Sequence, residues 1–145
     1  MEQIKSNDYK SVLQKQGILA FVPDGNSMWP FIKNGKQSVI VEIPKNPIKI
    51  YDVVFFTRPD GTQILHRVLG FENDNLIVGG DSQSFTEVIS PSAVFGVMTG
   101  FYKGKKYFSV EDNSYIKKLK KWCKNGFFTK LRKKLFNKSI ASKQK

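Results

Sequence analysis

Residues Asp52 to Glu72 read DVVFFTRPDGTQILHRVLGFE. Two runs of β-branched, aromatic and aliphatic residues flank Pro59-Asp60-Gly61-Thr62. Asp-Gly between such runs is a strong short-range signal for a β-hairpin. Asp52 to Arg58 is therefore expected to be one strand and Gln63 to Glu72 its return. Asn73 to Asn75 turns the chain again, and Leu76 to Gly80 follows as a third strand.

The same pattern extends outward in both directions. Gln37 to Ile43 (QSVIVEI) is a strand bounded by Pro44 and Pro47. Gly17 to Val22 (GILAFV) is a strand entering the turn Pro23-Asp24-Gly25. Ala93 to Tyr102 and Lys105 to Val110 form a last hairpin around Lys103-Gly104. Asp8 to Gln16 is expected as a short helix. Strands at this spacing predict a mainly β domain, a barrel or sandwich. A hydrophobic fraction of 40% is enough to give it a core.

Beyond Asn113 the period changes. Ile116, Leu119, Trp122 and Cys123 fall on one face of a helix. Asn125-Gly126 breaks it, and Phe127, Phe128, Leu131, Leu135 and Phe136 mark a second amphipathic helix. All 12 acidic residues lie at or before Asp112, while the 24 Lys and Arg divide evenly on either side of Asn113. The net charge of +12 thus belongs wholly to the tail. The expected organisation is a neutral β domain over 1–112 and a basic helical tail over 113–145. A nucleic-acid binder would rest on whole-chain charge alone, and the split places that charge in the tail and leaves the β domain neutral.

Composition also limits the chemistry. With one cysteine, Cys123, the chain has no intrachain disulfide. One cysteine and one histidine do not build a structural zinc site, and no cofactor or metal is expected. No apolar run approaches the about 20 residues that span a bilayer. Gly17 to Val22 also lacks the length and cleavage pattern of a secretory signal, so a cytoplasmic protein is expected.

The reactive candidates are few. In GNSMWP (Gly25 to Pro30), Ser27 follows turn-forming residues and precedes Pro30, which could present its hydroxyl at the end of a strand. Serine needs a positioned base. The one imidazole in the chain is His66, whose ordinary pKa near 6.5 suits proton transfer around neutrality. Asp81, after Gly79-Gly80, and Glu87 are the acids that could reach that ring and hold its tautomer.

These residues carry a family resemblance. GNSMWPFIKNG (Gly25 to Gly35) is similar to the Gly-x-Ser-Met-x-Pro signature around the nucleophile of the signal peptidase I family. YDVVFF (Tyr51 to Phe56) resembles its Gly-Asp-hydrophobic strand, with Tyr51 in the glycine position. LHRVLG (Leu65 to Gly70) resembles its base-bearing strand, and GGDSQ (Gly79 to Gln83) its Gly-Asp-Asn motif. The four blocks keep the family's order between Gly25 and about Gly100. Most bacterial members and the LexA-like self-cleaving repressors use Lys as base. The endoplasmic-reticulum and archaeal type has His followed by Arg-Val, as in His66-Arg67-Val68.

The resemblance implies a LexA/signal peptidase-like β fold and a serine endopeptidase that cuts a signal- or leader-like peptide. Ser27 would be the nucleophile, His66 the base, and Asp81 or Glu87 its orienting acid. Asn26, Met28, Trp29 and Pro30 would flank the substrate, with Phe31 a further candidate pocket wall. The Ser27 N–H and the turn around Asn26 would hold the oxyanion. Three positions depart from the pattern: Tyr51, Lys36 where an Asp usually follows glycine, and Glu87 where the family carries Asp. They leave a catalytically inactive peptide-binding relative as the alternative. A LexA-like repressor fragment fits less well, because no helix-turn-helix pattern precedes Gly17 and the base is His.

No apolar run in these residues is expected to serve as the family's membrane anchor. The tail could replace it, with Lys117, Lys120, Lys121, Lys130 and Arg132 toward anionic lipid and Trp122, Phe127 and Phe128 at the interface. The enzyme would then sit on the inner membrane face. A helical cap packed on the sheet, or a basic surface for a partner protein or an acidic leader, are the other readings of the same residues.

Overall fold

The Asp60-Gly61 turn closes as its sequence predicts. Arg58 N–H donates to the Thr62 carbonyl at 2.8 Å, and the Asp60 carboxylate accepts from Thr62 N–H at 2.9 Å. Gly61 has φ +90°, a conformation that suits glycine. The turn joins β3 (Val53–Thr57) to β4 (Gln63–Glu72), with Val54 opposite His66. The computed structural model describes residues 9–33 and 35–125.

The other elements are α1 (Tyr9–Gln16), β1 (Ile18–Phe21), β2 (Val39–Glu42), β5 (Asn75–Gly79), β6 (Glu87–Ile89), β7 (Val94–Lys103), β8 (Lys106–Ser109) and α2 (Asn113–Asn125). They build one antiparallel sheet in the order β1-β2-β7-β3-β4-β5-β6, with β8 paired to β7. The long β7 pairs with β3 through its first half and with β2 and β8 through its second. Register shifts at Ile40/Val41, Phe55/Phe56 and Val68/Gly70 are the kind that bend and twist a sheet. The sheet is mainly β as expected, but it does not close into a barrel. Among the described residues no ladder joins its two ends, β1 and β6.

β3 explains the layering. Its residues Val53 to Phe56 are all buried, so both faces of the strand are covered. Val53 and Phe55 enter one core with Leu13 of α1, Leu19, Val39, Val41, Met98, Phe101, and Tyr115 and Leu119 of α2. Val54 and Phe56 enter a second core with Val68, Leu76 and Val78.

The first stretch of the basic tail therefore belongs to the main core. Leu119 is buried and Ile116, Trp122 and Cys123 pack beside it, which is the face predicted from their spacing; Tyr115, outside that prediction, is buried with them. Lys117, Lys120 and Lys121 point to solvent. Asp112 starts the helix: its carboxylate accepts from the Ser114 N–H and hydroxyl at 2.9 and 2.6 Å. The expected second helix, with Phe127, Phe128, Lys130 and Arg132, lies outside the described residues. Among the described residues no helix is long and apolar enough to cross a membrane.

Candidate active site

Alternation along β4 separates its polar residues. His66 and Val68 face the second core, while Leu65 and Arg67 face the main one. His66 is buried, with its ring centroid 6.1 Å from that of Phe56. Arg67 pairs with Gly79, so the next residue, Gly80, comes opposite His66. Residues opposed across antiparallel strands hold their β-carbons about 4.5–5.5 Å apart.

Gly80 has no side chain, and Ser27 takes the space. A β-carbon built on Gly80 would come 2.5 Å from the Ser27 carbonyl oxygen and 2.9 Å from its β-carbon. The turn bearing Ser27 is fixed from both sides. Ser82 N–H donates to the Ser27 carbonyl at 2.9 Å, and the Ser82 hydroxyl donates to the Asn26 carbonyl at 2.5 Å. Trp29 N–H donates to the Asn26 carbonyl, and Phe31 and Ile32 N–H both donate to the Met28 carbonyl. Met28 is buried in the main core and anchors the turn from below. Trp29 and Asn26 are exposed, and Ser27 and Pro30 are half-buried. The Trp29–Pro30 peptide is cis.

The two candidate acids lie on opposite faces. Asp81, one residue past Gly80, turns to the main core and is 1% exposed. Both its oxygens accept from Arg67, at 2.7 and 2.8 Å. Arg67 also donates to the Tyr51 carbonyl at 2.8 Å and the Tyr115 hydroxyl at 3.1 Å. Burial pulls this guanidinium down, but Asp81 and Tyr115 more than reverse the effect and hold it above its ordinary value. Burial likewise pushes the Tyr115 phenol up, partly offset by Arg67. The Asp81 carbonyl accepts from the Trp122 indole at 3.2 Å, so α2 holds this loop directly.

Glu87 faces the other way. It pairs with Val78 across β5 and β6, on the side where Val78 and His66 lie. Its Oε1 stands 3.6 Å from His66 Nδ1. That is ion-pair range and slightly longer than a hydrogen bond. Arg58 donates to both Glu87 oxygens, at 3.2 and 2.6 Å, and this contact raises the Arg58 pKa. Ser27 thus lies against Gly80 and Glu87 against His66, both at the same end of the β4–β5 pair. Asp81 belongs to the buried Arg67 cluster on the reverse side.

Arg58, Arg67 and Ser82 had no role of their own assigned from the sequence, although Arg67 and Ser82 stand inside two of the motif blocks. A charged residue inside an apolar strand, as Arg67 is in LHRVLG, signals a buried acid partner. Arg58 and Ser82 carried no comparable signal. Among the described residues no three His, Cys, Asp or Glu side chains converge as metal ligands. Compared with known proteins, the sequence matches no family model and no curated protein.

Proposed function

We propose that the chain is a serine endopeptidase of the LexA/signal peptidase type, acting on a signal- or leader-like peptide. The observation that carries the reading is the seat of Ser27 on Gly80, opposite His66, with Glu87 behind the imidazole. Ser27 Oγ attacks the scissile carbonyl while His66 Nε2 takes its proton. The proton passes to the leaving amine as the C–N bond breaks, leaving an acyl group on Ser27. Water, deprotonated by the same imidazole, then releases the acid. Glu87 holds Nδ1 and favours the imidazolium that forms in each step, and Arg58 fixes Glu87. The Ser27 N–H is a donor for the oxyanion, since no acceptor engages it among the described residues.

Cleavage of a signal-peptide-like library by the wild type, Ser27→Ala and His66→Ala tests this. Cutting by the wild type that both variants lose is the expected result. Peptide binding without cutting, unchanged in Ser27→Ala, would give the fold to a non-catalytic peptide binder.

A further inference from the structure

The main-core side of the molecule carries a cleft that the proposed chemistry does not use. It has a volume of about 410 Å³ and opens between α2, the β7–β8 hairpin and the Pro30-Phe31 end of the Ser27 turn. That size is within the range of small-molecule sites, about 300–1,000 Å³. Its walls are aromatic, chiefly Phe101, Phe108 and Trp122, and its rim carries Lys103, Lys118 and Lys121. Among the described residues no Asp or Glu lines it, and none of these lysines has a carboxylate partner. Lys103 and Lys106 stand 5.6 and 5.1 Å from the Phe108 ring centroid, so the cations are held over the apolar wall.

We propose that this cleft binds an anionic phospholipid of a membrane surface, its phosphate on Lys103, Lys118 and Lys121 and an acyl chain among Phe101, Phe108 and Trp122. Lysines without an arginine fork suit a phosphate as point charges. The aromatic floor suits a chain and would be poor recognition for a free inorganic anion. The surroundings fit a bilayer. Lys105, Lys106, Lys117 and Lys120 are exposed on the flanking hairpin and helix, and Trp29, 47% exposed, stands edge-on to Trp122 at 6.2 Å. Partial burial, and after it repulsion from Lys118 and Lys33, hold the Lys103 amine below its ordinary 10.5, and an anion in the cleft relieves the repulsion.

The full chain with Trp29→Phe leaves Trp122 as the single tryptophan, since the sequence has two. Vesicles of phosphatidylglycerol with brominated acyl chains should quench Trp122, and brominated phosphatidylcholine vesicles should not. Lys103→Gln with Lys118→Gln should weaken the affinity read by quenching roughly 10- to 30-fold. Both lysines are exposed, so the fold should be retained. Lys10→Gln with Lys45→Gln, the same charge change elsewhere, should stay within about twofold. Three results would each overturn the proposal: no quenching while the protein sediments with brominated phosphatidylglycerol vesicles, equal weakening in both double variants, or a Trp122 emission change that saturates with monomeric dihexanoyl phosphatidylglycerol while no brominated vesicle quenches it.

Discussion

Ser27 rests on Gly80 so closely that any β-carbon there would strike the Ser27 main chain, 2.5 Å from its carbonyl oxygen. The obstacle is backbone, which cannot swing aside as a long side chain can. Gly80→Ala should therefore displace the turn. An expected cost is about 1–3 kcal/mol of stability, with peptide cleavage lowered about 100-fold through misplacement of Ser27. Gly79→Ala is the control, because its nearest neighbours would be at 3.2 and 3.3 Å. Denaturant melts and cleavage rates should show Gly79→Ala much milder on both counts.

The two carboxylates should separate stability from catalysis. Asp81→Asn leaves Arg67 buried without its counter-charge and should cost about 3–5 kcal/mol. Glu87 and Arg58 are 27% and 31% exposed, so losing their pair should cost no more than about 1 kcal/mol. Glu87→Gln should instead lower kcat, by roughly 10²- to 10⁴-fold. Thermal melts and kcat measured on both variants check the division. A kcat loss confined to Asp81→Asn would assign the orienting role to the wrong face.

That division was not legible in the sequence. Asp81 and Glu87 both stand within reach of His66 by spacing, and only strand register separates them. A one-residue step from Gly80 to Asp81 moves a side chain to the opposite face of the sheet. The β-branched runs and Asp-Gly turn did make β3 and β4 readable, and the Ile116, Leu119, Trp122 spacing gave α2. β6 was missed because Glu87–Ile89 is only three residues long and mixed in character. Alternation also could not show that β3 is covered on both faces, since that depends on which elements fold over it.

Acid should loosen α2 from its first turn. Hydrogen bonds from Ser114 hold the Asp112 carboxyl below its ordinary 3.8. A depressed pKa means the stabilisation is present above that ordinary value and is lost as pH falls through it and below. Trp122 fluorescence in the Trp29→Phe chain, followed from pH 6 to pH 2, should report the release, and adding Asp112→Asn should flatten its part of the change.

Tyr51 occupies a left-handed backbone conformation, φ +78°, in the position where the resembled family has glycine. Its N–H donates to the Val68 carbonyl and its carbonyl accepts from Arg67, so the geometry is fixed from both sides. A β-branched residue is least compatible with positive φ. Tyr51→Ile should destabilise by more than Tyr51→Gly, by about 1–2 kcal/mol. Equal melting temperatures for the two variants would show that backbone strain does not govern this site.

The central claim is that Ser27 is a nucleophile served by His66. The most direct measurement is acylation by a small-acyl peptide p-nitrophenyl ester, read as a p-nitrophenol burst and by mass spectrometry of the Ser27 peptide. A burst near one equivalent, with the acyl mass on Ser27 and both lost in His66→Ala, is the predicted result. No acyl group on Ser27, or acylation undiminished in His66→Ala, would contradict it.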